Sequence, residues 1–136
     1  MSNSDRSCVI HLAEAESAIP HALGEHAIGL FEHGTLSLKL SQPVPPNRQT
    51  PHEQDELYVV VRGRGVLVHD GRRDSFETGD IMFIAAGTEH HVENFSDDLS
   101  VWVVFYGPPG GEAPAAFAGS DRIQGQMARE QISDKL

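Results

Sequence analysis

The stretch that decides the fold is Pro51-His52-Glu53-Gln54-Asp55-Glu56-Leu57-Tyr58-Val59-Val60-Val61-Arg62-Gly63. An acidic, histidine-bearing lead runs straight into a β-branched strand and stops at a glycine. The run over 57–62 has the composition of a pleated, half-buried strand. In an unbroken strand His52 and Glu56 would lie ~13 Å apart at ~3.3 Å per residue, too far to share a ligand. A helix would bring them together, but Pro51 before and the β-branched run after argue against one. The workable geometry is a turn at Gln54-Asp55 that folds His52 back over Glu56. The alternative is a solvated acidic turn before a strand.

Outward from there, strand signals fill 27–106. Runs over 28–32 and 35–40 flank His33-Gly34, and the second alternates Leu36, Leu38, Leu40 against Ser37, Lys39, Ser41. After 57–62, Gly63-Arg64-Gly65 reads as a hairpin into 66–69, and Asp70-Gly71 as a two-residue turn. Further strands are expected over 81–84, 90–95 and 99–106. Short strands at this spacing, punctuated by Gly, Pro and Asp, imply an all-β sandwich or barrel. In the lead-in, 11–17 has the makings of a helical turn or two, stopped by Pro20. GPPGGEAP from Gly107 breaks regular structure, and the tail to Leu136 reads as a C-terminal extension with a short helix over 122–132 or none. The whole of 1–136 is expected to be one domain.

Composition narrows the partners. The 136 residues carry 20 acidic against 10 basic side chains, a formal charge of −10. With no basic run, a nucleic-acid surface is excluded. No apolar stretch approaches the ~20 residues that span a bilayer. The polar N-terminus lacks a signal-peptide pattern, and the single Cys8 forms no internal disulfide. The expectation is a soluble cytoplasmic protein. Eight histidines in an acidic chain are the first hint of metal chemistry.

The second constellation is Gly79-Asp80…Gly87-Thr88-Glu89-His90-His91-Val92-Glu93-Asn94. Strand alternation places His90, Val92 and Asn94 on one face, and His91, Glu93 and Phe95 on the other.

Together the two segments resemble the cupin superfamily. His52, three residues, Glu56, six residues and Gly63 match the second half of the first cupin motif. Gly79, Gly87, His90 and Asn94 fall at the spacing of the second. Thr50 stands where the first His of His-x-His belongs, Ala85 replaces the proline of the second motif, and the opening glycine of the first is missing. The resemblance implies a double-stranded β-helix, or jelly-roll barrel, with core 27–106 and short helical or irregular extensions. It also implies His52, Glu56 and His90 as ligands of a divalent metal ion such as Fe, Zn, Mn or Ni. Two histidines and one carboxylate suit a metal with open positions, non-haem Fe(II) among them.

Thr50 could hydrogen-bond a metal-bound water. Gln49 and Glu89 are discounted as fourth donors, because alternation sets both one step off the inward face. Glu56 and Tyr58 are the candidate catalytic residues. Tyr58, Trp102, Phe105 and Tyr106 are candidates to line a pocket, with ordinary core packing as the alternative. His11, His21, His26, His33 and His69 read as surface residues, and Cys8 as unreactive.

Three functions follow. The first is dioxygenase-like oxidation of a small organic molecule. The second is Lewis-acid isomerase, lyase or cyclase chemistry. The third is non-catalytic binding of a small ligand by a barrel whose metal site has lapsed. The doubly apolar run over 101–106 and the strand over 28–32 predict a homodimer.

Overall fold

The computed structural model describes residues 7–20, 26–47 and 49–113. His21 and the expected 122–132 helix lie outside them. Among the described residues one helix, α1 (Leu12–Ala18), precedes eight strands: β1 (Ala27–His33), β2 (Leu36–Ser41), β3 (Asp55–Arg62), β4 (Arg64–His69), β5 (Arg72–Glu77), β6 (Ile81–Ile84), β7 (His90–Glu93) and β8 (Ser100–Tyr106). They form two antiparallel sheets, ordered β1-β2-β8-β3-β6 and β5-β4-β7, in a jelly-roll barrel. Among the described residues no helix is long and apolar enough to cross a membrane.

Alternation builds the core. On β3, Glu56, Tyr58 and Val60 turn inward, and on β8 Val101 and Val103 do the same. They meet Leu67, Phe76 and Val92 of the smaller sheet in one buried cluster. The opposite face of the larger sheet is apolar too, and part of it is covered by α1. Seven residues are too few for a stable isolated helix, so α1 exists by docking. Ala15 and Ile19 pack with Leu40, Ile28, Leu30 and Trp102. Burying Ile19 and Leu40 stabilises this contact by about 1.5–3 kcal/mol each. Glu16 adds a bidentate pair to Arg62 of β3 (2.6 and 3.0 Å) and accepts from Gln42 and Ser100.

Several sequence expectations change. Gly63-Arg64-Gly65 is not a hairpin: β3 and β4 belong to different sheets, and the chain crosses between them at Gly63. Gly63 has φ +102°, and a Cβ there would meet the Leu99 Cα at 2.7 Å. A strand at Arg72–Glu77 has no apolar alternation to announce it, since only Phe76 is buried. Asn94 does not continue the inward face of β7. It takes φ +51°, is exposed, and reverses the alternation, so Phe95 packs against the core instead of facing out. His69 is largely covered, its side chain only 15% exposed, and is held at 2.7 Å by Asp74. Part of the surface assigned to a partner subunit, Ile28 and Trp102, is covered by the chain's own helix.

Candidate metal centre

The bend before β3 carries His52 and is fixed from four sides. The His52 carbonyl accepts from Gly87 N–H (2.7 Å) and the Glu53 carbonyl from Gly110 N–H (2.7 Å). The Gln54 amide donates to the carbonyls of Thr35 and Gly107. Buried Asp55 accepts the N–H of Ala86 on one oxygen and that of Glu112 on the other, both at 2.9 Å. Gly111 is a glycine for this reason: a Cβ there would lie 2.8 Å from Asp55 Oδ1. The segment that breaks regular structure after β8 is thus a clasp on the bend.

The bend at Glu53-Gln54 turns His52 over Glu56. His52 Nε2 and His90 Nε2 each lie 3.2 Å from Glu56 Oε1, and the donor atoms of the three residues lie within 4.8 Å of one another. Glu56 and His90 are buried, while the His52 side chain is 27% exposed toward the cavity. His52 Nε2, Glu56 Oε1 and His90 Nε2 are all buried and none makes a hydrogen bond. The distances are those of ion pairs without hydrogen-bond alignment. The three atoms instead crowd one small volume within coordination reach of a single ion.

Three buried polar atoms without hydrogen-bond partners are costly unless something else satisfies them. A cation bound at ~2.0–2.2 Å leaves neighbouring ligand atoms about 3 Å apart, which matches. His90 Nδ1 lies 2.9 Å from the Thr88 carbonyl and donates to it, leaving Nε2 with a free lone pair. The residues therefore fit a metal ion.

Electrostatics around the cluster are uneven. Burial holds the His52 pKa below the ordinary imidazole value. Glu56 opposes this, while His90 and Lys39 reinforce it. Burial also works against a charged His90, but Glu56 and the Thr88 carbonyl outweigh it and raise its pKa. Burial, then the Glu56 charge, pushes the Tyr58 phenol far above its usual range, so it stays protonated. Its hydroxyl donates to Gln49 Oε1 (2.7 Å). Gln49 in turn donates to Asn47 Oδ1, which accepts the Val92 N–H.

The cluster opens on a cavity of about 320 Å³ inside the barrel. Gln49 and Thr50 line it, together with Tyr58, Phe105, Met82 and Lys39. Gln49 is thus an inward residue, against the alternation argument. Residues 49–54 precede the strand, and alternation does not apply to them. Glu89 is exposed on the far side, as expected. Of the four aromatic candidates Tyr58 and Phe105 line the cavity. The Phe105 ring meets His52 edge-on, centroids 4.8 Å apart. Trp102 packs under α1, and Tyr106 falls on the same outward side of β8. Lys39 and Asn47, which sequence reasoning did not single out, also face the cavity. The alternation of β2 separates Lys39 from the leucines but does not show its inward place, because here the leucine face is the one that packs outward under α1. His11, His33 and Cys8 are exposed, and His26 is half-buried.

The Cupin domain family, Cupin_2, matches residues 41–106. An uncharacterized protein of Streptomyces coelicolor is 38% identical over 60 residues, which is 44% of this chain and 57% of that protein's length. Among solved structures, a cupin 2 conserved barrel domain protein from Salinispora arenicola is 20% identical with TM-score 0.59, covering 89% of this chain and 98% of that one. The DMSP lyase DddQ from Ruegeria pomeroyi is 15% identical with TM-score 0.54, covering 68% of this chain and 53% of that one. At such identities these two structures show a shared fold alone.

Proposed function

This chain belongs to the cupin superfamily, and we propose that it is a metal-binding member acting on a small organic molecule, with His52, Glu56 and His90 as the protein ligands. The observation that carries this reading is the trio of buried ligand atoms without hydrogen-bond partners, all within 4.8 Å of one another. A divalent first-row metal held by two histidines and a carboxylate supplies a Lewis-acid centre with open positions and, as Fe(II), electrons for O2. Oxidation of the dioxygenase type is the reading this donor set favours.

The chain's own residues supply the surroundings. Phe105, Val103 and Met82 give part of the cavity an apolar wall. Thr50, in the place of a further histidine, leaves a hydroxyl rather than a ligand at the rim. Tyr58, its proton engaged by Gln49, offers its oxygen lone pairs to a substrate N–H or O–H and does not act as a base. The second reading is Lewis-acid lyase or isomerase chemistry in which Glu56 handles the substrate proton. A lyase among the structures of similar fold shows that such a barrel accommodates this class of chemistry.

Elemental analysis of protein purified without chelators or a nickel column tests the proposal. Bound iron with substrate-dependent oxygen uptake supports oxidation. Zinc, manganese or nickel without uptake supports the second reading. Protein that takes up none of these ions overturns both and leaves a ligand-binding barrel.

A homodimer is proposed as well. Beyond α1 the outer face of the larger sheet stays apolar, with Ile81 and Phe83 exposed beside Val59 and Leu57. A second copy of that face is self-complementary. A dimer-sized species by light scattering, converted to monomer by Ile81→Glu, is expected. A monomeric wild type overturns it.

A further inference from the structure

Among the described residues lining the cavity, Lys39 is the only lysine or arginine, in a chain with twice as many acids as bases. It reaches the cavity because β2 alternates. Leu40 faces outward beneath α1, whereas Lys39 and Ser41 face inward. In register, Lys39 is opposite Val103, and Val103 is opposite Tyr58. The ammonium thus shares an inner row with Tyr58, two strands away. It sits over the Phe105 ring, 5.6 Å from the centroid, within cation–π range. Phe105 is also the ring whose edge meets His52. A molecule lying along Phe105 therefore has an ammonium at one end and the His52, Glu56, His90 cluster at the other.

Lys39 has no carboxylate partner within ion-pair distance among the described residues. The carboxylate that lines the cavity, Glu56, is turned to the two histidines. A lysine on a barrel wall ordinarily carries its head out to water. This one is half-buried over an apolar ring instead. A half-buried cation without a counter-charge is stabilised by an anion that arrives with the ligand.

We infer that Lys39 is the anchor for a carboxylate on the small molecule that enters this cavity, and that it makes the protein selective for monocarboxylates over their neutral analogues. A monoanion matches the single charge. A phosphate dianion would bring surplus negative charge toward Glu56 with no further Lys or Arg among the described lining residues to meet it. The volume of about 320 Å³ sits at the lower end of small-molecule sites and limits the carboxylate to a short chain or one ring. This rests on the proposed function for what happens at the far end of the ligand, but not for the anchor itself.

The test is a titration of the purified protein with acetate, valerate and benzoate and with the matching amides, followed by calorimetry and amide NMR shifts. The metal content of each sample is measured alongside. Valerate or benzoate should bind about tenfold or more tightly than its amide. Lys39→Met, which keeps an unbranched stem against Phe105, should abolish that preference, and Lys39→Arg should retain it. Both variants should keep the metal content of the wild type. No preference in the wild type overturns the inference. So does a preference that survives Lys39→Met, because the cation reading the carboxylate is then not Lys39. If Lys39→Met does not fold, Lys39→Gln takes its place with the same expected loss. A metal-free protein with a Lys39-dependent preference sinks the metal reading and leaves the anchor standing. A metal-loaded protein without preference does the reverse.

Discussion

Glu56 Oε1 lies 3.2 Å from His52 Nε2, although four positions of extended strand would hold the two residues far apart. The separation collapses because the chain bends at Glu53-Gln54 and begins β3 only at Asp55. Glu56 is left fully buried between two imidazoles with which it makes no hydrogen bond.

A bound cation stabilises the folded state by mass action, by about 2.7 kcal/mol at a hundredfold excess over its Kd. Chelator treatment is therefore expected to lower the Tm of the wild type measurably. Glu56→Gln and His90→Ala should show no chelator effect and carry no metal. Thermal scans with and without chelator check this; an unchanged wild-type Tm, or a chelator shift that persists in Glu56→Gln, contradicts the ligand set.

Asp55 offers one oxygen to each of two backbone N–H groups, and asparagine has a single acceptor oxygen. Asp55→Asn leaves one buried N–H opposed by a donor and should cost about 1–3 kcal/mol. Because the bend then loosens, metal affinity should also fall, by roughly 10–100-fold, although Asp55 is not a ligand. Competition with a chromophoric chelator measures it. Wild-type affinity in a folded Asp55→Asn protein would show that the clasp does not position the site.

Two glycines separate conformation from contact. Gly34 has φ +60° and open space around it, so Gly34→Ala should cost about 1 kcal/mol. Gly63 has φ +102° with backbone at 2.7 Å from its absent Cβ, so Gly63→Ala should cost about 2–4 kcal/mol. Urea denaturation of both variants compares them, and equal costs would refute the close approach at the sheet crossing.

Glu16 is held below the ordinary carboxylate pKa of 4.5 first by its hydrogen bonds from Arg62, against the opposing effect of burial. A depressed folded pKa means that the contribution is complete above pH 4.5 and is lost as the pH falls through the folded value. At neutral pH, Glu16→Gln should cost about 1 kcal/mol, discounted because Arg62 is well exposed. That deficit should vanish in acid. Denaturation of both proteins at pH 7 and at a descending series of acid pH values decides, and a deficit that stays constant through the series would show that the charge is not what docks α1.

How legible all this was depends on what kind of signal each residue leaves. The spacing of His52, Glu56 and Gly63, and of Gly79, Gly87 and His90, is local, and local spacing fixes which side chains a strand end can turn inward. The facing of β8 was not legible. Its residues Val101-Trp102-Val103-Val104-Phe105 are apolar on both sides, because α1 and the neighbouring apolar surface lie opposite the barrel interior. Phe105 could not be told from Trp102 without that knowledge. Gln49 and Asn47 were hidden because they lie in irregular chain, where no period tells inward from outward. Lys39 was hidden for a different reason: its alternation was plain, but a lone lysine on a polar face reads as solvated.

The clasp on the bend has a consequence for assembly order. All but one of the groups that fix the bend arrive later in the chain: Ala86, Gly87, Gly107, Gly110 and Glu112 follow it, and only the Thr35 carbonyl precedes it. A nascent chain that has emerged only as far as β3 holds two of the three donor residues but a single one of the contacts that aim them, the one to Thr35. The juxtaposition of the three side chains comes into being at the end of folding, so the metal binding proposed for them is expected only of the finished barrel.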